Sequence, residues 1–374
     1  MASRKETSMK IDRIRVYAAV ATGGWHRRVV TQTILRITTK DGLEGLAGAT
    51  TYTPNARDGS VAEGLRCTLP VLFQHSPFDR EAVRRELEAA TITIPTPLGA
   101  ISLIDIALHD LAAKAAGLPL YRFLGAARER IASYASLRRL DDAQAYVDAV
   151  AGHIAEGYKA FKLHVWCDLG RDLAAIAALD KRYGGKGYDF LYDPDMGYTR
   201  AQALRIGRAL DEAHYGWFEA PLFDHDIDGY RELKRRLSTP ILCSGNQILD
   251  PLMLAQMIKL DCWSHLRVDA TFAGGISGAR RIAALAEANG MNLELQSWGY
   301  PLTQAANLHV MLSIPNSTYF EQAVPVEHLE WASQDFIRTG PDGCVRAPDG
   351  LGLGIRPDWH AIEKASFASY ELRP

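Results

Sequence analysis

The chain has 374 residues, of which 47% are hydrophobic and 23% charged, and its formal net charge is -2. This composition is that of an ordinary globular protein, and the balanced charge predicts neither nucleic acid nor another polyanion as a partner. The odd number of cysteines, without CxxC spacing, argues against a disulfide framework and a thiolate zinc site, and suits a reducing cytoplasmic environment. No run of about eighteen apolar residues suggests a membrane span, and the polar opening MASRKETS is unlike a signal peptide.

The first 128 residues favour strands followed by helices. From residue 10 to about 60, IDRIRVYAAV, VVTQTILRITT and LEGLAGATTY alternate like strands, separated by the loop TGGWHRR and the turn Lys40-Asp41-Gly42. Then EAVRRELEAA and ISLIDIALHDLAAKAAG show helical periodicity, and the second stops at Gly117. We therefore predict an antiparallel meander with helices, an α+β domain spanning residues 9–128.

The rhythm changes after about residue 130 to short apolar runs separated by amphipathic helices. The predicted strands are IASYAS, AFKLHV, DFLYD, GWFEA, PILC, SHLRVD, NLELQ and STYFE. Eight units with a spacing of roughly 25 residues favour a (β/α)₈ (TIM) barrel over residues 129–335. A doubly wound open sheet has the same alternation and is the alternative. The Gly- and Pro-rich segment 336–374 cannot extend the barrel, so we expect it to return to the first domain.

Polar side chains stand at the ends of seven of these strands. They are Lys162, His164, Asp193, Glu219, Asn246, Asp269, Gln296 and Glu321. In a barrel of this kind the carboxyl ends of all strands meet at one mouth, so these side chains should form a ring. Carboxylate and amide oxygens on successive strands suit Mg²⁺, and a Lys and a His two residues apart on one strand face could exchange protons with a substrate.

Each of these residues also has an ordinary structural interpretation. An acid at a strand end is commonly solvated or caps a helix, and lone histidines such as His26 and His109 are more often surface or core residues than ligands. The joint placement on consecutive strands is what favours a functional site.

Several segments resemble one known family. ISLIDIALHDLAAKAAGLPLYRFLG, GYKAFKLHV, LYDPD, GWFEAPL, VDATFAGGISGARRIAALAEANGM and PDGLGLGIRPDW are similar, in order, to recurring segments of the mandelate racemase branch of the enolase superfamily. The resemblance implies an α+β capping domain, built from both chain ends, over a modified barrel. It also implies symmetric homo-oligomers, a small carboxylate substrate, and Mg²⁺-assisted abstraction of the proton α to that carboxylate, the chemistry general to the superfamily.

The resemblance assigns metal ligands. Asp193 and Glu219 match the first two ligands of the family, whereas the third, normally an acid, corresponds to Asn246. An amide oxygen can still bind Mg²⁺, but the loss of one charge should weaken binding. Asp195 stands where many members have Asn, and we hypothesise that its carboxylate compensates.

The resemblance also assigns catalytic positions. Lys162 matches the residue that contacts the substrate carboxylate, and His164 matches the base. Asp269 and Gln296 correspond to the family's Asp–His dyad on the opposite face, and Glu321 to the carboxylic acid of the last strand. Because Gln296 cannot titrate, one-base elimination is favoured over two-base racemisation.

Capping loops choose the substrate in this family. The matching loops here contain Trp25, His26 and Arg28 in TGGWHRR, and Tyr52 in TTYTPN. The sequence thus predicts a Mg²⁺-dependent dehydratase of a sugar acid or other hydroxy carboxylate, acting through an enediolate. The alternatives are a racemase, epimerase or cycloisomerase of a related acid, and a non-catalytic descendant that binds a carboxylate.

Overall fold

The computed structural model describes residues 9–21, 29–53, 56–93 and 96–374. Its first sheet contains the predicted meander, and a strand from the other end of the chain adds to it. The strands are β1 (Ile11–Val20), β2 (Val29–Thr39) and β3 (Glu44–Thr53), with β13 (Ser366–Leu372). Their order is β13-β1-β2-β3, and every pairing is antiparallel. Gly42, at φ +85°, makes the tight turn between β2 and β3.

Helices of the first part lie against this sheet. They are α1 (Ser60–Thr68), a 3₁₀ turn (Leu69–Gln74), α2 (Arg80–Ala90), α3 (Leu98–Ala115) and the short α4 (Leu120–Phe123). Most of α3 is buried, because its apolar residues surround the helix on all sides and it packs against both β3 and a barrel helix. It ends before Gly117, whose φ is +69°.

The barrel follows as predicted, with all eight strands. They are β4 (Arg130–Leu137), β5 (Ala160–His164), β6 (Asp189–Asp193), β7 (Trp217–Glu219), β8 (Ile241–Leu242), β9 (Leu266–Val268), β10 (Leu293–Leu295) and β11 (Tyr319–Val324). The intervening helices are α5 (Ala143–Ala155), α6 (Leu169–Tyr183), α7 (Arg200–Glu212), α8 (Ile227–Arg236), α9 (Pro251–Lys259), α10 (Gly275–Ala288) and α11 (Pro301–Ser313).

Strand pairing closes the barrel. Parallel pairs run in the order β11-β4-β5-β6-β7-β8, and β9 pairs with β10. A parallel bridge from Leu242 to His265 joins β8 to the start of β9, and the Leu293 N–H donates to the Asn316 carbonyl just before β11. A doubly wound sheet has two open edges, so this closure confirms the barrel.

The last segment contacts both halves of the fold. β12 (Cys344–Arg346) pairs antiparallel with β4, and α12 (Trp359–Ala365) leads into β13 on the first sheet. The buried carboxylate of Asp110 on α3 accepts from the backbone N–H groups of Leu46 in β3 and Leu353 in this segment. One side chain therefore ties three separate parts of the chain together.

Hydrogen bonds also fix the first domain over the barrel. The carboxylate of Asp105 on α3 accepts from the backbone and hydroxyl of Ser277 at the start of α10. Thr50, near the end of β3, accepts from the Tyr300 N–H and lies 3.2 Å from the hydroxyl of Thr303. These contacts bring the end of β3, with Tyr52, to the barrel mouth. No helix in the described ranges is both long and apolar enough to cross a bilayer.

Candidate active site

A cavity of about 610 Å³ lies at the carboxyl ends of the barrel strands, within the size range of small-molecule sites. All eight residues of the predicted ring line it, together with Tyr52 and Asp195. Parallel pairing explains the convergence, since His164 at the end of β5 is in register with Asp193 at the end of β6.

Lys162 is the centre of the site. Its side chain is 1% exposed, and its Nζ lies 3.1 Å from Asp193 Oδ2, 3.0 Å from Glu219 Oε1 and 2.8 Å from Glu321 Oε1. Burial disfavours the ammonium, but Glu219 and Glu321 outweigh that effect and raise the pKa of Lys162 well above its usual value. Lys162 is therefore a fixed positive charge.

His164 faces the cavity with one nitrogen. Its Nδ1 is 2.9 Å from the Leu137 carbonyl, which can only accept, so Nδ1 carries a proton. The other nitrogen, Nε2, lies 3.3 Å from Asp193 Oδ2. Burial lowers the pKa of His164, but the Asp193 carboxylate outweighs burial and the net change is upward. The ring of Trp298 packs edge-on against the imidazole at 5.4 Å.

Glu321 is enclosed by donors. Its Oε1 accepts from Trp298 Nε1 at 2.8 Å and from Ser136 Oγ at 3.0 Å, besides the Lys162 contact, and its Oε2 contacts Arg267. Although burial opposes ionisation, Lys162 and Arg267 lower the pKa of Glu321 to about 2. The charged carboxylate contacts two cations, Lys162 and Arg267, and the catalytic role that the resemblance assigns to Glu321 stays a prediction.

Arg267 is a member of the site that the sequence reasoning missed. It lies in the middle of β9, is 1% exposed and has its Nε 2.8 Å from Glu219 Oε1. The signal was present, because an arginine inside the apolar run HLRV must face charged partners when the strand is buried. Arg139, in the loop after β4, also lines the cavity and was not predicted.

The opposite face of the cavity is formed by amides and one acid. Gln296 Nε2 donates to Asn246 Oδ1 at 2.6 Å. Asp269 Oδ1 accepts from the backbone and hydroxyl of Thr271 and from Asn307 Nδ2, each at 2.8 Å. Burial raises the pKa of Asp269 to about 6, even though these donors oppose the shift. Gln296 thus contacts the third ligand position.

The donor set fits a divalent cation with two charged ligands. Asp193 and Glu219 each place a carboxylate oxygen 3.0–3.1 Å from the Lys162 ammonium, so both face the same part of the cavity, and Asn246 lines that cavity. Within the described ranges no three His, Cys, Asp or Glu side chains form a metal-binding group, and the assignment of Asn246 as the third ligand stays a prediction. Burial raises the pKa of Glu219 to about 7, against the opposing effect of Arg267 and Lys162.

The capping loops contribute one described residue. Trp25, His26 and Arg28 lie outside the described residues. The hydroxyl of Tyr52 is buried at the cavity wall and has no hydrogen-bond partner among the described residues, and burial raises its pKa. A buried donor without a partner is costly, so a polar substrate could satisfy it.

Asp195 lines the same cavity with an exposed side chain, and its backbone N–H donates to Asp193 Oδ1. That its carboxylate compensates for the charge missing at Asn246 stays a prediction.

Comparisons with known proteins place the chain among related enzymes. Residues 13–125 match the mandelate racemase/muconate lactonizing enzyme N-terminal domain, and residues 145–361 match the enolase C-terminal domain-like family. A solved protein from Pseudovibrio sp., described as of the mandelate racemase/muconate lactonizing enzyme type, is 37% identical with a TM-score of 0.92, covering 98% of this chain and 99% of that one.

Two further relatives have named activities. D-glucarate dehydratase from Agrobacterium tumefaciens, solved in complex with magnesium, is 25% identical with a TM-score of 0.83, over 96% of this chain and 100% of that one. The 3,6-anhydro-alpha-L-galactonate cycloisomerase of Streptomyces coelicolor is 30% identical over 70% of this chain and 71% of its own length. The relatives therefore include both dehydratases and cycloisomerases of sugar acids.

Proposed function

The chain belongs to the mandelate racemase/muconate lactonizing enzyme family of the enolase superfamily, and on that premise we propose that it is a Mg²⁺-dependent dehydratase of a sugar acid or another hydroxy carboxylate. The observation that carries the proposal is the asymmetry of the cavity. His164 turns a titratable nitrogen toward it, whereas the facing position holds Gln296, bonded to Asn246.

The metal would be held by Asp193 and Glu219, with the Asn246 oxygen as a neutral third donor. A Mg²⁺ ion held by these residues would supply positive charge that favours a developing enediolate. Lys162 adds a permanent positive charge to the same cavity, because Glu219 and Glu321 keep it protonated. Stabilisation of charge that develops in the transition state is the largest contribution expected from such a site.

His164 does the proton transfers. In its neutral form Nδ1–H donates to the Leu137 carbonyl, so the imidazole is held with a bare Nε2 toward the cavity. Nε2 takes the α proton and becomes imidazolium. The C–O bond to the β-hydroxyl then breaks, the imidazolium proton leaves with that hydroxyl as water, and the resulting enol tautomerises to a 2-keto acid.

A racemase, epimerase or cycloisomerase is the second candidate. Asp269 lines the cavity, and its pKa of about 6 suits a group that can hold or release a proton near neutral pH. It would serve the face opposite His164. However, its carboxylate already accepts three hydrogen bonds, and no histidine partners it among the described residues. This geometry favours the one-base reaction.

The experiment is a screen of hydroxy acids in D₂O with Mg²⁺, followed by proton NMR. We expect formation of a 2-keto acid, and His164→Asn should reduce the rate by about 10²- to 10⁴-fold. His153→Asn is the matched control and should leave the rate unchanged, because this partly buried histidine of α5 pairs with Glu156 and does not line the cavity.

Three results would contradict the proposal. Turnover retained in His164→Asn would remove the assigned base. Deuterium exchange without loss of water would instead support the epimerase. Saturable binding of acids with neither exchange nor turnover would support a non-catalytic carboxylate-binding protein.

A further inference from the structure

Arg267 places a second fixed cation beneath the proposed metal site. Its guanidinium spans two carboxylates, with Nε 2.8 Å from Glu219 Oε1 and Nη2 in contact with Glu321 Oε2, and its Nη1 is 3.5 Å from the hydroxyl of Tyr134. The side chain is almost fully buried, so water does not screen these charges. Glu219, a proposed metal ligand, therefore has a resident partner.

The charges of the buried ion-pair cluster balance without a metal when His164 is protonated. Lys162 and Arg267 carry two positive charges, and His164 adds a third when protonated; they face the three carboxylates Asp193, Glu219 and Glu321. The family pattern would add a further acid at position 246, where this chain has an amide. A hypothetical site with an acid at position 246 and no guanidinium at position 267 would be more negative than this cluster by two charges. That difference equals the charge of Mg²⁺.

The contact between Arg267 and Glu219 is close but not a well-formed hydrogen bond. The Nε–H of Arg267 has no hydrogen-bond acceptor in suitable geometry among the described residues, despite the 2.8 Å separation from Glu219 Oε1. The attraction is therefore mainly that of two opposite charges. Glu219 is held instead by hydrogen bonds from Lys162 Nζ to Oε1 at 3.0 Å and from Trp217 Nε1 to Oε2 at 3.3 Å. Arg267 therefore acts on Glu219 through its charge.

We propose that Arg267 competes with Mg²⁺ for Glu219 and so weakens metal binding in the absence of substrate. The inference rests on the proposed metal site. Repulsion between the buried guanidinium and a divalent cation that share one carboxylate is the physical cause. Arg267 is a positioning residue, because it acts through Glu219 and does not need to touch the substrate.

The test is calorimetric titration of Mg²⁺ into the chelator-stripped full chain. Arg267→Gln removes the charge and should tighten Mg²⁺ binding by about tenfold or more. Arg267→Lys keeps the charge and should stay within about threefold of the wild type. Arg346→Gln, which removes an exposed arginine paired with Asp342 outside the barrel mouth, is the matched control and should have no effect.

Several outcomes would overturn the inference. Unchanged or weaker binding in folded Arg267→Gln would show that the guanidinium does not compete. If Arg267→Gln does not fold, the Mg²⁺ affinity of the wild type tests the inference. A Kd for Mg²⁺ of about 10 μM or tighter without substrate would contradict a weakened metal site. Asp193→Ala separates the two proposals. If Mg²⁺ binding survives in Asp193→Ala, the metal binds elsewhere and the proposed metal site is refuted. If binding is lost in Asp193→Ala but unaltered in Arg267→Gln, only the proposed role of Arg267 is refuted.

Discussion

Replacement of Lys162 by Met should destabilise the protein strongly, although the change conserves most of the side-chain volume. The ammonium is the common partner of three buried carboxylates, at 2.8 to 3.1 Å from each. Without the Lys162 ammonium, the carboxylates of Asp193, Glu219 and Glu321 repel one another, and Arg267 and His164 are the remaining cations of the cluster. The perturbation therefore isolates charge from packing.

The expected loss is about 3–5 kcal/mol of unfolding free energy, the usual cost of leaving a buried charge without its partner. Urea unfolding followed by circular dichroism and by fluorescence measures it. Lys234→Met is the matched control, because Lys234 pairs with the exposed Asp261, and such surface pairs contribute about 1 kcal/mol or less. The double variant Lys162→Met/Glu321→Gln removes one of the excess negative charges of the cluster and should recover part of the loss. If Lys162→Met costs no more than Lys234→Met, the carboxylates are not held as charges, and the electrostatic account of the site is wrong.

Two further predictions concern the frame around the site. Burial lowers the pKa of His309 to about 4, so between pH 6.5 and 4 the unfolded chain binds a proton that the folded chain does not, and stability should fall by about 2 kcal/mol from pH 7 to pH 5. Urea unfolding at both pH values checks this, and His309→Gln should show a smaller loss; an equal loss in both proteins would refute the assignment. Gly275→Ala should cost about 1–3 kcal/mol, because its φ is +77° and a Cβ would lie 2.3 Å from Asp105 Oδ1. Gly152→Ala, with nothing within 4 Å, should be neutral or stabilising in the same thermal unfolding assay, and equal melting temperatures for the two variants would contradict the reasoning.

The barrel and its ring of polar residues were predictable because both follow from local periodicity. A parallel strand ends where its apolar run ends, and in a closed barrel that end points to one mouth, so the position of Asp193 or Glu219 in the sequence already gave its place in space. The partners of Arg267 follow from no comparable rule, although its place inside an apolar run indicates that it needs charged partners. Its partners lie on β7 and β11, and which interior charges meet depends on how side chains fill the barrel, a property of the closed structure rather than of any one strand.

The contact between Gln296 and Asn246 could not be predicted for the same reason, since fifty residues separate them. The structure shows a hydrogen bond between the two positions at which the resemblance implies a departure from the family pattern. An acid at 246 and a histidine at 296, placed as these amides are, would form a hydrogen-bonded pair that can exchange protons. The two amides keep the hydrogen bond and remove every titratable proton from it. With two amides on the opposite face, His164 and Asp269 are the candidate groups for proton transfer. The reaction outcome then depends on whether Asp269, which already accepts three hydrogen bonds, takes part.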